Sequence, residues 1–365
     1  DLFMKLGLFG YGTIGRGVYT LIEQLDKSYN CEIKKVFDLP IKKDLLGDKL
    51  VCDINDIIND NEIEAVVEVL GGHDVPYEVI TKCLKSGKSV ITANKEVVSN
   101  HLEEFINLAH ENNASFCFEA SAGGGIPVIR TLIDNIKVND VNDIYGILNG
   151  TTNYILTRMD EDGLSFDEAL KLAQKNGFAE ANPTADLEGL DIVRKINILS
   201  SLAFKGNISN DDIYHYGITG VNKAILDNIK SLGYALKFVA SSKKVGNDVT
   251  IRVEPTMVKL NHPFASIKNE FNAVLFTGST NGDLMFYGKG AGSIPTATAI
   301  VSDLVSILEN RSYIGYKNEN KLVVNANSTN TYSYYIVGED GKGKFRERVS
   351  DDELAEALFY ARVLD

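Results

Sequence analysis

The chain has 365 residues, 44% hydrophobic and 24% charged, with a formal net charge of −13, which implies two or three domains with enough apolar material for real cores. The acidic balance argues against duplex nucleic acid or an anionic membrane as a partner, although a local array of backbone amides still binds phosphate in an acidic protein. No apolar run approaches the roughly 18 residues of a membrane span, and Asp1-Leu2-Phe3-Met4-Lys5 lacks the basic-then-apolar order of a signal peptide.

In chain order, residues 4–9 read as a short buried strand and 16–26 as a helix with Val18, Leu21, Ile22 and Leu25 on one face. Residues 32–38 and 65–70 give two more strands, the latter ending at Gly71-Gly72. A helix over 76–86, a strand over 89–92, a helix over 100–112 and a strand over 115–119 follow. Strands alternating with helices at short spacing predict a parallel sheet with helices on both faces. A helix over 128–135 leads to a strand near 144–148, then a long helical stretch over 152–206 broken by a loop at 178–186. Residues 234–287 are strand-rich, and a helix over 295–309 is expected to return to the first domain. The tail from Arg311 is polar at first, with a strand over 332–337 and a helix over 351–363. The expected fold class is α/β. An N-terminal Rossmann domain spans 1–127, completed by helix 293–310. An α+β catalytic and dimerisation domain spans 128–292, and a short extension spans 311–365. Met4 is the expected native initiator.

Gly10-Tyr11-Gly12-Thr13-Ile14-Gly15 matches GxGxxG between a strand and a helix. The first glycine permits the tight turn, the second lets backbone amides approach a pyrophosphate, and the third lets helix and strand pack closely. The motif therefore predicts dinucleotide binding. Asp38, at the end of the second strand, is placed to accept from the adenosine ribose and favour NAD over NADP. It also reads as a turn former before Leu39-Pro40, and Lys42 and Lys43 could hold a 2′-phosphate instead. Gly87-Lys88-Ser89 fails as a nucleotide-triphosphate loop, because Lys82 stands where that motif needs glycine.

Cys31, Cys52, Cys83 and Cys117 form no CxxC pair, which points to reduced thiols in the cytoplasm. His73, His101, His110, His215 and His262 have no metal-ligand spacing, so zinc or iron is not expected. Asp191 and Lys195 are four apart on a predicted helix, where spacing alone favours a surface ion pair of about 0.2–0.5 kcal/mol.

Four segments stand together after the glycine motif: Thr92-Ala93-Asn94-Lys95, Glu119 to Pro127 with its triple glycine, Asn149-Gly150-Thr151-Thr152-Asn153-Tyr154-Ile155-Leu156, and Gly177 to Lys195. In this order they closely resemble homoserine dehydrogenase, over about residues 4–310. Phe178 to Gly189, followed by Asp191 and Lys195, is the most specific part. The resemblance implies interconversion of L-homoserine and L-aspartate 4-semialdehyde with NAD or NADP, NAD slightly favoured, on the way to threonine, methionine and isoleucine. It implies Lys195 as proton donor and acceptor and Lys95 as a second catalytic group that also meets cofactor. It implies Glu180, Asp191 and Asp186 around the substrate ammonium, Asp186 reading equally as a helix cap. Thr13, Ile14, Gly71, Gly177 and Gly292 fall at cofactor contacts.

Glu119, with the carbonyls of Ala122, Gly124 and Ile126, resembles a structural Na⁺ site of hard oxygen ligands; the same glycines also read as a hinge. A homodimer or homotetramer joined through sheets is implied. The family's threonine-sensing domain of roughly 80 residues has at most a shortened counterpart in 311–365, so feedback by threonine is not expected. Family members usually carry an arginine where this chain has Phe37, which weakens the case for NADP. Two rival readings are an acylating aldehyde dehydrogenase using Cys117 as nucleophile and a non-catalytic NAD-binding regulator. Cys117 inside a predicted strand opposes the first, and the presence of Lys95 and Lys195 opposes the second.

Overall fold

The structure is a computed structural model and describes residues 3–313, 318–326 and 332–364. The chain divides into two compact units. The first comprises Asp1–Val138, Ser201–Asn207 and Ala291–Asn320; the second comprises Asn139–Ser200, Ile208–Gly290 and Lys321–Asp365. The sequence reading drew its boundaries at 127 and 311. Residues 314–317 and 327–331, within the expected extension, lie outside the described residues.

In the first unit, six parallel strands are β1 (Met4–Phe9), β2 (Cys31–Phe37), β3 (Leu50–Val51), β4 (Ile63–Glu68), β5 (Ser89–Thr92) and β6 (Phe116–Cys117). Their order is β3-β2-β1-β4-β5-β6. That order reverses direction between β1 and β4, which opens a crevice at the carboxyl ends of the strands. Leu6, Leu8, Phe9, Val66, Val67, Val90 and Ile91 are buried, as expected for a parallel sheet covered on both faces. The helix Ser293–Leu308 returns to this unit. It packs on the helix Thr13–Glu23, where the Ser293 hydroxyl donates to the Thr13 carbonyl at 3.1 Å.

Two expectations here are corrected. The first helix starts at Thr13 and not at 16, because the third glycine of the motif lies inside its first turn. The strand expected over 115–119 stops at Cys117. Beyond it the Phe118 N–H donates to the Tyr313 hydroxyl (2.9 Å) and the Glu119 N–H to the Asp303 carboxylate (3.0 Å), so the backbone donors leave the ladder.

The second unit holds a ten-stranded mixed sheet. Its strands are β7 (Val141–Ile147), β8 (Tyr214–His215), β9 (Tyr234–Val245), β10 (Asp248–Lys259), β11 (Phe271–Gly278), β12 (Gly282–Lys289), β13 (Val323–Val324), β14 (Ser333–Val337), β15 (Gly343–Glu347) and β16 (Phe359–Leu364). The main path runs β12-β11-β7-β9-β10-β16-β14-β15, with β8 and β13 also paired to β10. Ile147, Val239, Val258, Phe264, Ile267 and Leu275 form one core of this unit.

The long helical stretch is four helices: Gly150–Asp162, Phe166–Lys175, Thr184–Leu187 and Leu190–Phe204. A break at 163–165 was not expected: Gly163 takes a left-handed conformation, and Ser165 and Glu168 form a capping box. The terminal helix expected over 351–363 is only Asp351–Ala355, followed by β16. All six residues of β16 are buried, between β10 on one side and β14 on the other. At roughly 1.5–3 kcal/mol per large buried apolar side chain, that pairing outweighs local helix propensity.

Candidate active site

Two groups of site residues are built independently, one in each unit. In the first unit the glycine motif closes a tight turn from β1 into its helix. Gly10 has φ +103, and a Cβ there would come within 2.8 Å of the Val69 carbonyl oxygen. A Cβ on Gly15 would lie 2.0 Å from the Gly10 carbonyl oxygen, so both positions exclude any side chain. A Cβ on Gly12 would meet nothing within 4 Å; the space above it suits a pyrophosphate. Gly12 is the N-cap of the helix, without a side-chain cap and without acidic residues in the first turn. The first-turn amides of Thr13, Ile14 and Gly15 thus combine with the positive end of the helix to favour an anion.

Asp38 lies one residue beyond β2. One carboxylate oxygen accepts from the Tyr11 N–H (2.6 Å), the other from the Leu39 N–H (2.7 Å). Asp38 therefore clasps the glycine turn, a role that spacing did not reveal. Gly71 follows β4 with φ +80. The turn is held by Glu68, fully buried, whose carboxylate accepts from the Leu70 N–H (2.7 Å) and the Thr92 hydroxyl (2.6 Å). Burial pushes the Glu68 carboxyl above its ordinary range. The Asn94 amide donates to the Gly72 carbonyl at 2.7 Å, and its oxygen caps the next helix by accepting from Val97. Lys95 is the first residue of that helix and is half-buried. A cation at a helix N-terminus works against the macrodipole. Gly292 is the N-cap of the helix Ser293–Leu308, with φ +112.

Glu119 has a second duty at the start of a helix. The Glu119 carboxylate is buried and accepts from the N–H groups of Ile129 (2.7 Å) and Arg130 (3.0 Å), capping the helix Val128–Asn135. The Ile126 carbonyl accepts from Val128 at 2.9 Å. Each carboxylate oxygen accepts one N–H at the helix start and keeps a further lone pair. Burial raises the pKa of Glu119, and burial with the nearby Glu119 charge raises that of Asp303 to about 8. The Arg130 guanidinium lies 3.4 Å from Asp303. Cys117 is fully buried with its thiol raised well above the ordinary value by burial, the opposite of what a nucleophile needs.

In the second unit, Asp191 and Lys195 lie four apart on the helix Leu190–Phe204, with Nζ 2.9 Å from Oδ2. They are 6% and 7% exposed, so the spacing-based expectation of a surface pair is corrected: this pair is buried. Lys195 also donates to the Leu148 carbonyl at 2.7 Å. The next residue, Asn149, donates from one amide nitrogen to Asp186 Oδ1 and to Asp191 Oδ2, both at 2.9 Å. The structure thus gathers Asp186, Asp191 and Lys195 around the end of β7. Asn149, quoted in the sequence only as part of a segment, is the residue that sequence reasoning missed.

Glu180 is exposed on the loop after Lys175, its carbonyl held by Gln174 at 3.1 Å, and is not joined to the acid–lysine cluster. Gly177, with φ +78, opens the same loop. That loop is tied to the helix Gly150–Asp162 by the Thr151 hydroxyl donating to the Phe178 carbonyl, and by the Asn176 amide donating to the Tyr154 hydroxyl (2.9 Å).

Known proteins share both halves of this arrangement. The family model described as homoserine dehydrogenase matches residues 127–305, and that described as homoserine dehydrogenase, NAD binding domain, matches residues 10–119. Homoserine dehydrogenase of Bacillus subtilis is 40% identical over 317 residues, covering 84% of this chain and 73% of that protein. That of Lactococcus lactis is 32% identical over 364 residues, covering 93% and 84%. A solved homoserine dehydrogenase from Thiobacillus denitrificans superposes with a TM-score of 0.89 at 27% identity, covering 99% of this chain and 98% of that one. A hyperthermophilic archaeal homoserine dehydrogenase in complex with NADPH shares the fold, with a TM-score of 0.74 at 24% identity, covering 85% and 99%.

Proposed function

The chain belongs to the homoserine dehydrogenase family, and from that premise we propose how its residues divide the reaction. It is an NAD(P)-dependent oxidoreductase that interconverts L-homoserine and L-aspartate 4-semialdehyde in amino-acid biosynthesis. Nicotinamide, when bound, supplies the hydride acceptor or donor. The protein's task is to bind it, hold the amino alcohol, and move one proton.

In homoserine oxidation, Lys195 takes the hydroxyl proton at Nζ as hydride leaves the same carbon. In reduction it returns that proton to the developing alkoxide. The Asp191 carboxylate, 2.9 Å from Nζ, and the Leu148 carbonyl hold the amine in place for that exchange. Asp186 and Asp191 receive the substrate ammonium, with Glu180 joining from its loop. Lys95 assists at the cofactor and reacting oxygen. The amides of Thr13, Ile14 and Gly15, with Gly10, Gly12, Gly71 and Gly292, are the dinucleotide contacts of the first unit. The observation that carries this reading is the buried Asp191–Lys195 pair, seated on the Leu148 carbonyl and joined through the Asn149 amide to a second carboxylate, Asp186. Lys195→Ala should remove turnover while NAD(P) affinity, followed by nicotinamide fluorescence, stays intact; near-normal turnover would reject the role.

We propose that NAD is used at least as well as NADP, supported by Asp38 at the ribose position; an NADPH-bound relative keeps NADP in the comparison. For Na⁺, the proposed ligands are Glu119 with the carbonyls of Ala122, Gly124 and Ile126, holding a structural ion only; each Glu119 oxygen keeps a lone pair beyond its N–H bond. A homodimer or homotetramer is supported by β12, an eight-residue sheet edge with Met285 and Tyr287 exposed; light scattering of the purified protein tests it. A cytoplasmic location is supported by four free cysteines, and no helix among the described residues is long and apolar enough to cross a membrane.

A further inference from the structure

Asn149 is 5% exposed and every hydrogen-bonding function of its amide is engaged. Its oxygen accepts from the Thr152 N–H and the Thr152 hydroxyl, both at 2.9 Å. A backbone N–H can only donate, so the oxygen must face Thr152 and the NH₂ must face the carboxylates. Those two hydrogens go to Asp186 and Asp191. A neutral double donor between two carboxylates offsets their repulsion and favours keeping both ionised. The preceding peptide carbonyl, that of Leu148, is where Lys195 is anchored. One dipeptide, Leu148-Asn149, therefore seats both the proton carrier and the two acids. Its position is fixed by the helix that Asn149 caps.

We infer that Asn149 is a positioning residue: its amide holds Asp186 and Asp191 as an ionised, fixed pair, giving the site its selectivity for an ammonium-bearing alcohol and setting the potential in which Lys195 exchanges its proton. The inference rests on the roles proposed above for Asp191 and Lys195. It concerns how those groups are held, and Asn149 itself need not touch substrate.

The test separates the amide's two duties. Asn149→Ser keeps an N-cap acceptor, since serine and asparagine cap comparably, but removes both donors to the acids. For this variant KM for homoserine should rise by about tenfold or more, the range expected when a hydrogen bond to a charged group is lost. The pH at half-maximal homoserine oxidation should move upward, as less-neutralised carboxylates hold the Lys195 proton more tightly. NAD(P) affinity and melting temperature should stay near wild type. Asn149→Asp keeps the cap and adds a third carboxyl. It should shift the profile further and recover KM toward low pH, where the new group carries a proton and can donate; it also serves if the serine variant does not fold.

Unchanged KM and pH profile in both variants would overturn the inference. So would a loss shared equally by cofactor affinity and melting temperature, the mark of a purely structural role. Lys195→Ala measured alongside separates the two layers: its retained turnover would reject the proposed catalytic role, whereas its inactivity beside a normal Asn149→Ser would reject the Asn149 inference alone.

Discussion

In the first unit the turn Gly10–Gly15 offers peptide N–H groups and almost no side chains; in the second, a buried Asp191–Lys195 pair and the half-buried Asp186 carboxylate meet at one asparagine amide. The first site is made of backbone, so it tolerates nothing larger than hydrogen at its close approaches. The second is made of charge, so it tolerates shape changes better than it tolerates a lost donor. Backbone recognition of phosphate has little reason to depend on pH near neutrality, whereas proton transfer through a buried lysine must.

The largest effects should fall on the charged site. Lys195→Ala should lower kcat by about a thousandfold, within the usual range for losing a positioned acid–base group; a kcat within a few-fold of wild type would break the comparison. Next come the glycines. Gly15→Ala would place a Cβ 2.0 Å from the Gly10 carbonyl and should destabilise the first unit by about 3 kcal/mol, seen as a lower melting temperature. Gly12→Ala, with open space at its Cβ, should leave melting unchanged and weaken cofactor binding. Equal melting behaviour of the two would refute the distinction between a packing glycine and a ligand-facing one.

A smaller effect is expected at Asp38. Asp38→Ala should weaken NAD more than NADP, and both somewhat, because the carboxylate also clasps the Tyr11 amide. An equal loss for both cofactors would reduce Asp38 to the clasp alone.

The smallest effect concerns a buried lysine outside either site. Burial lowers the pKa of Lys237 from 10.5 to about 8, and its ammonium donates to the Ile267 carbonyl. Between those values the unfolded chain binds more protons than the folded one, so folding stability rises with pH through that window. Wild type should therefore gain stability relative to Lys237→Met as pH rises from about 8 toward 10.5, measured by denaturant titration. A constant difference would show that Lys237 keeps its proton in the fold.

The two sites also differ in how far they could be read from the chain. The glycine motif, β1, β5 and the βα alternation were legible because they rest on local spacing and on residues with distinct backbone freedom. The lysine four residues after Asp191 was visible as well, but spacing alone assigned it to the surface, because burial is decided by β7 and its following turn, some 40 residues earlier in the chain. Asn149 could have been suspected from its N-cap position before Gly150-Thr151-Thr152; its bonds to Asp186 and Asp191 could not.

Glu119 shows a further limit of local spacing. A carboxylate beside three glycines suggested a cation; the fold adds a second duty at the start of the helix Val128–Asn135 that spacing did not reveal. The terminal strand Phe359–Leu364 was misread because its partners, β10 and β14, lie far away in sequence. His73 and His101 likewise come within 3.0 Å of each other across 28 residues, a proximity that no short spacing rule contains.

The most direct test of the account is the initial rate of nicotinamide reduction, followed at 340 nm, with L-homoserine and either NAD⁺ or NADP⁺ at equal concentration. The account predicts homoserine-dependent reduction that rises toward alkaline pH and is absent in Lys195→Ala. No homoserine-dependent signal with either cofactor, and no oxidation of the reduced cofactors by L-aspartate 4-semialdehyde, would contradict it.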